Sequence, residues 1–364
     1  MSRTLSEYTG SRDNNFNLIR FFAATLVLYS HSFALSLGTG DAEPLKNLIG
    51  MTWGTIAVDV FFVTSGFLIA NSFFERRSII SFAWARILRI YPAIVVATIF
   101  CVFVIGLAIT TNRPSDYLLH PQTHHFLLKN IIVFSGIEFY LPGVFTNTPY
   151  KNMVNGSLWT LPYELKMYGC LAIIGASVIF IQKRLRKNIL VFFFVMIAIA
   201  SVSANIINHF HAFMSDDFIR LFSIFFVGAA FYICRDRVHI SSGAFFLILM
   251  ATLASSFDKD VFFILYTFSL PYLIFYLAYV PSGAIRNFNK SGDYSYGIYI
   301  YAWPVQQTIV TTIPNISATP MALISFCITL ALAYLSWNLV EKKCLRLKNK
   351  YIHIENMLKY RNNV

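Results

Sequence analysis

Ten stretches of the 364-residue chain are apolar over the length needed to cross a bilayer, and the rest of the sequence must accommodate them. They run over about 16–37, 52–73, 91–111, 158–180, 188–207, 218–234, 239–256, 261–280, 292–313 and 319–340. A spanning helix needs ~20 mostly apolar residues, because hydrocarbon leaves no partner for an unpaired backbone group. The expected fold is therefore an all-α polytopic membrane protein of about ten transmembrane helices. Composition agrees, with 57% hydrophobic and 13% charged residues, where a soluble domain carries ~25% charge. The segment near 125–145 is apolar but broken by Lys129, Gly136, Glu138 and Pro142, and reads as interfacial or re-entrant. The first apolar stretch is too long for a signal-peptide core. Three parts are expected: a cytoplasmic N-terminus over 1–15, a membrane domain over 16–341 and a basic cytoplasmic tail over 342–364.

The net charge of +12 could suggest nucleic acid, but its distribution argues against that partner. With both termini placed inside, 21 of the 29 Lys and Arg residues fall in cytoplasmic segments and 5 in outer ones. The positive-inside rule accounts for that split, and omitting one helix would scramble it. The five cysteines form no CxxC pair, and neither a disulfide framework nor a metal site is expected.

Ionisable groups inside a bilayer are costly and point to function by default. Arg20 and His31 share the first apolar segment, eleven residues apart, which puts them on one helix face about 16 Å apart along the axis. Asp59 lies in VDVFFVTSGFLI, at about the depth of His31. A carboxylate beside a His can fix its tautomer, and the competing reading is an ion pair with Lys166 or Arg20. The neighbouring Ser65-Gly66 suits close helix packing. Arg86 and Arg89, spaced i, i+3 at the cytoplasmic entrance of the third span, can clamp phosphate or simply anchor the helix. Glu164 lies one to two turns past Trp159 in NGSLWTLPYELKMYG and can position a hydroxyl or transfer a proton. The ninth span carries SYGIYIYAWP, whose Tyr299 and Trp303 can stack on a sugar or an acyl–pantetheine arm, although helix packing is the commoner use. His120, His124 and His125 sit in an outer loop, where their spacing is poor evidence for a metal.

Taken in order, these motifs resemble the acyltransferase 3 family of membrane O-acyltransferases, which act on cell-surface carbohydrates. The likeness runs from about Asn14 to about Glu341. It comprises Arg20 with His31, VDVFFVTSGFLI, Arg86 and Arg89 ahead of Ile90-Tyr91-Pro92, SLWTLPYE, YSYGIYIYAWP and SWNLVEKK. Many members carry a His before the aromatic-Pro of the ninth-span motif, and Ala302 stands there in this chain.

The resemblance implies acetyl-CoA or a related acyl-CoA as donor, a carbohydrate acceptor, the lipid bilayer as environment and no metal. It places the protein in the bacterial inner membrane. His31 is then expected as general base, Asp59 as its orienting or charge-balancing partner and Glu164 as the group that positions the acceptor. Arg20, Arg86 and Arg89 are expected on the donor path, and Trp159, Tyr299 and Trp303 at the acceptor. Direct transfer and a covalent acyl-His31 intermediate both fit the sequence. A glycan transporter or flippase and a nonenzymatic membrane sensor are the alternatives of other classes. A transporter would favour inverted repeats and broken helices, and no repeat is visible.

Overall fold

The computed structural model describes residues 3–10, 13–76, 78–185 and 189–348. Most of the basic tail, and Arg186 and Lys187 of the loop read as cytoplasmic, lie outside the described residues. The longer helices are α1 (Phe16–Leu37), α2 (Trp53–Arg76), α3 (Ile79–Ile99), α4 (Pro121–Ile132), α5 (Leu161–Leu185) and α6 (Leu190–His211). They continue as α7 (Asp216–Ile233), α8 (Ser242–Ala254), α9 (Lys259–Tyr279), α10 (Ser295–Thr312) and α11 (Ala318–Ser336). Each of the ten expected segments holds one of these helices.

Among the described residues, seven helices are long and apolar enough to cross a membrane. These are α1, α2, α3 with its extension to Ile109, α5, α6, α9 and α11. The other three expected spans differ for physical reasons. Helix α8 has 13 residues, about 20 Å of helix. The 18 residues of α7 include Asp216, Asp217 and Arg220. The 18 residues of α10 include Gln306, Gln307 and three tyrosines. The interrupted segment near 125–145 contributes the 12-residue α4, too short to span alone.

One expectation needs correction. Helix α3 begins at Ile79, well before the expected start of the third span at about 91, and carries Pro92 internally. The all-α expectation holds, the strands among the described residues being a two-residue antiparallel ladder of Arg3–Thr4 with His239–Ile240.

The chain divides into two compact units. The first comprises Met1–Val27, Glu43–Glu75 and Tyr163–Asp293. Here α2 and α7 meet backbone to backbone. A Cβ on Gly66 would lie 1.9 Å from the Phe225 carbonyl oxygen, and one on Gly228 would lie 2.2 Å from that of Val63. This is the small-residue packing expected at Ser65-Gly66. Asn15 ties the entry to α1 to the end of α9, its amide donating to the Leu277 (3.0 Å) and Pro281 (2.9 Å) carbonyls.

The second unit comprises Leu28–Ala42, Arg76–Pro162 and Tyr294–Val364. Its axis is α10, in which 15 of 18 residues are buried. At Gly297 an added Cβ would lie 2.7 Å from Ala333 Cα, so α10 and α11 touch closely there. The extension of α3 widens into a π-helical stretch over Phe100–Gly106, against which the buried Tyr117 donates its hydroxyl to the Val102 carbonyl at 3.0 Å.

Candidate functional site

In the second unit the site is built from the C-terminal half of α1, the turn before α5, and α10. His31 sits edge-on against Trp303, with ring centroids 4.7 Å apart and planes at 76°. Trp303 is itself fixed twice: its indole N–H donates to the Met153 carbonyl at 3.0 Å, and its ring meets that of Tyr150 at 5.4 Å. Gly156 is required for this approach, because a Cβ there would stand 2.7 Å from Trp303 Cζ2. Two residues expected separately, His31 and Trp303, are thus one contact.

Gln306 holds the turn that carries His31. Its amide nitrogen donates to the Leu28 carbonyl (2.8 Å) and to Ser32 Oγ (2.7 Å), the positions flanking His31 by one turn and by one residue. Gln307 does the same for the loop, donating to the carbonyls of Tyr150 (2.7 Å) and Met153 (2.9 Å). Sequence reasoning missed both glutamines. The signal was present, since paired amides in a bilayer segment are expensive unless they bond across helices.

Neither ring nitrogen of His31 has a hydrogen-bond partner among the described residues, and Nδ1 is sealed from solvent. Asn155 Oδ1, Ser157 Oγ, Gln306 Oε1 and Gln307 Oε1 are likewise buried and unbonded. A buried polar group without a partner costs ~1–3 kcal/mol. Their concentration on the elements around Trp303 gives this unit hydrogen-bonding capacity that the fold itself does not consume. Tyr299 is differently placed: its hydroxyl shares a 2.5 Å hydrogen bond with Thr160 Oγ1, inside the protein. Trp159 is half-buried in the 3-10 turn Gly156–Thr160.

Towards the N-terminal end of α10, Arg89 pairs with Glu341 at 3.5 Å and lies over the Tyr296 ring at 5.6 Å. Glu341 is almost wholly buried and also accepts from Ser336 Oγ at 2.9 Å. Tyr296 donates to the Ile90 carbonyl at 3.1 Å. Arg86 shares the α3 face, half-buried, its guanidinium 5.9 Å from the Phe82 ring centre. Arg86 and Arg89 thus share one face of α3, with Arg89 paired to Glu341.

The remaining expected residues belong to the first unit. Asp59 is fully buried, and both of its oxygens are engaged. Oδ1 accepts from Arg220 at 2.6 Å and Oδ2 from the Tyr266 hydroxyl at 3.0 Å. The sequence reading offered Lys166 or Arg20 as its ion partner, and the structure gives Arg220 instead. Lys166 is exposed, 5.6 Å from the Tyr163 ring centre. Arg20 faces Asp293 at 3.7 Å and the Phe61 ring at 5.6 Å. Glu164 occupies the first turn of α5, where the helix dipole favours an anion, and accepts a short hydrogen bond from Tyr168.

A family model described as an acyltransferase domain matches residues 13–338 of the chain. Among curated proteins, an O-acetyl transferase of Shigella phage Sf6 is 32% identical over 350 residues, covering 92% of this chain and 96% of its own. Nodulation protein 10 of Rhizobium leguminosarum bv. viciae is 26% identical over 371 residues, covering 95% of this chain and 97% of its own. No solved structure matches.

Proposed function

The chain belongs to the acyltransferase family that this domain defines, and from that premise we propose a membrane O-acyltransferase that moves an acyl group from acyl-CoA to a carbohydrate hydroxyl, with His31 as general base. It is an integral membrane protein. The observation that carries the reading is the His31 imidazole, held edge-on by Trp303 with both ring nitrogens uncommitted. Acetyl is the group favoured by the likeness to the phage O-acetyl transferase.

In the proposed reaction His31 takes the proton of the attacking hydroxyl as its oxygen bonds to the thioester carbon. The tetrahedral intermediate then expels the CoA thiolate, which recovers that proton from the imidazolium. The products are a sugar ester and free CoA. A covalent acyl-His31 route has less support, because the acylimidazole would have to pass its acyl group to the sugar hydroxyl with no further base assigned to take that hydroxyl's proton.

Arg86 and Arg89 receive the donor phosphates in this scheme. Tyr296, beside Arg89, precedes Trp303 by seven residues, or about 10 Å along α10. An extended pantetheine arm can cover that rise and present the thioester at His31. The distribution of basic residues supports putting this end on the cytoplasmic side of a bacterial inner membrane, with 112–157 outside. Arg20 is proposed on the donor path and Glu164, Trp159 and Tyr299 on the acceptor side. Asp59, with both oxygens engaged, serves best as the counter-ion of Arg220.

The test is His31→Gln, which keeps a hydrogen-bonding group and removes the titration. Transfer to a native glycan extract, at equal protein level in membranes, should fall by about 100-fold or more, the scale of acid–base catalysis, while acyl-CoA still binds. Turnover near that of the wild type would make His31 a packing residue and sink the assignment.

A further inference from the structure

The second unit contains a cleft of about 600 Å³ that the scheme above does not use. It is lined by the loop around 143–151, the end of the α3 extension and the C-terminal end of α10. Seven of its thirteen lining residues carry polar side chains, among them Thr111, Thr146, Asn147, Lys151, Thr311 and Asn315. The volume falls in the range of specific small-molecule sites. Its polar groups are hydroxyls and amides with one cation and no carboxylate, set among apolar side chains such as Ile109, Phe145 and Val310.

The cleft is rigidly built. Thr111 N–H donates to the Gly143 carbonyl at 3.0 Å, and Thr110 Oγ1 to that of Pro142 at 2.7 Å. Gly143 has φ +71°, and a Cβ there would stand 2.7 Å from Thr111 Oγ1, so the loop can close on α3 only with glycine. Thr148 Oγ1 donates to the Phe145 (3.1 Å) and Tyr150 (2.9 Å) carbonyls, and Asn152 N–H to that of Phe145 (3.0 Å). A preformed site binds without the cost of ordering a loop.

The same loop is bonded to the His31 region. Gln307 and Trp303 donate to its Tyr150 and Met153 carbonyls. Tyr150, sitting between lining residues Pro149 and Lys151, packs its ring on Trp303, which packs on His31. Thr311 follows Trp303 by eight residues, about 12 Å along α10 and away from the Arg89 end. Three levels therefore succeed one another on one helix: the arginines, the imidazole and the polar cleft.

We propose that this cleft binds the acceptor chain, an oligosaccharide whose sugars next to the reacting one rest on Thr146, Asn147, Thr311 and Asn315. A polyhydroxy ligand offers many neutral hydrogen bonds, which is what this lining supplies. A CoA phosphate group would meet a single lysine here against two arginines at the other end. The proposal rests on the acyltransferase reading for the identity of the reaction, but the cleft's ligand can be tested without turnover.

The probe is a set of reducing-end-labelled oligosaccharides of four to eight sugars, released by mild acid from the surface polysaccharide of the source cells. Binding to the full-length protein in detergent is compared with that of Asn147→Trp and Thr311→Trp. Both positions are exposed, so the indole fills the cleft without disturbing packing. Phe257→Trp, at a site 96% exposed and outside the cleft lining, is the control. Wild type and control should bind, and the cleft variants should lose at least ten-fold in affinity while acyl-CoA binding is unchanged. Oligosaccharide binding that survives in both cleft variants, or that the wild type lacks, overturns the proposal. Wild-type protein that binds the oligosaccharides through the cleft yet transfers no acetyl group upholds the cleft and sinks the acyltransfer scheme instead.

Discussion

The buried pair of Asp59 and Arg220 gives the most quantitative expectation. The Asp59 side chain is 0% exposed and that of Arg220 12%, at a separation of 2.6 Å. Removing one member of such a pair strands the other and costs ~3–5 kcal/mol, whereas replacing the whole set with apolar groups is often neutral. Asp59→Leu leaves Arg220 with Asp217 at 3.1 Å, itself half exposed, and leaves the Tyr266 hydroxyl without its carboxylate. The loss should therefore fall within that range and not below it. Unfolding entropy of ~2.1 cal/mol/K per residue over 364 residues gives about 0.8 kcal/mol per degree. A 3–5 kcal/mol loss then lowers Tm by roughly 4–6 °C on that scale. The triple variant Asp59→Leu, Arg220→Met, Tyr266→Phe removes the buried members together, leaving only the half-exposed Asp217, and should melt within about 2 °C of the wild type. Tryptophan fluorescence during heating of the detergent-purified protein reads both, and acyl transfer at 20 °C is measured alongside. A triple variant as unstable as Asp59→Leu would refute the charge-balance argument. One that is stable but inactive would return Asp59 to the reaction.

Arg89→Lys keeps the charge opposite Glu341 but loses the planar fork. Acyl-CoA affinity should drop about ten-fold, the worth of one charge-assisted hydrogen bond. Unchanged affinity in the Arg86→Ala, Arg89→Ala double variant would make both residues anchors only. For topology, single cysteines at Lys183 and His124 in a Cys-free background report sidedness: an impermeant maleimide applied to intact cells should label position 124 and spare 183, and the reverse pattern would invert the assignment.

What could be read from one sequence depended on whether the information was local. The bounds of α1, 16–37, follow from apolar composition alone and coincide with the helix in the structure. Ser65-Gly66 announced a close crossing, and the Gly66 and Gly228 backbones meet the facing helix as that motif implies. The start of α3 was harder, because Arg86 and Arg89 in its first turns open the apolar window only near 91, whereas the helix starts at Ile79 and carries Pro92 internally. Partners were another matter. Asp59 and Arg220 are 161 residues apart, and their pairing depends on the register of α7 against α2, which no local pattern encodes. Arg220 lies within the apolar segment 218–234, and a buried Asp in want of a partner was the cue that could have joined the two. His31 and Trp303 were each identified by residue type and motif, but the edge-on contact between them needs a glycine at 156 and a tether from Met153, two features without a sequence signature of their own.

The low apolarity of α10 carries a functional argument. A helix with two glutamines and three tyrosines would be poorly soluble in lipid. It is tolerable because 15 of its 18 residues are covered by protein. Within the same unit, the α3 and α11 spans bury only 44% and 33% of their apolar windows, leaving broad greasy faces. The unit thus separates its tasks: α3 and α11 meet hydrocarbon, and α10 presents amides, phenols and an indole to other parts of the chain. Those groups set the environment of Arg89 through Tyr296, of His31 through Trp303 and Gln306, and of the loop at 145–153 through Gln307. A helix selected for lipid solubility could not make these contacts. The departure of α10 from the apolar pattern is therefore what lines up Arg89, His31 and the polar cleft along a single axis.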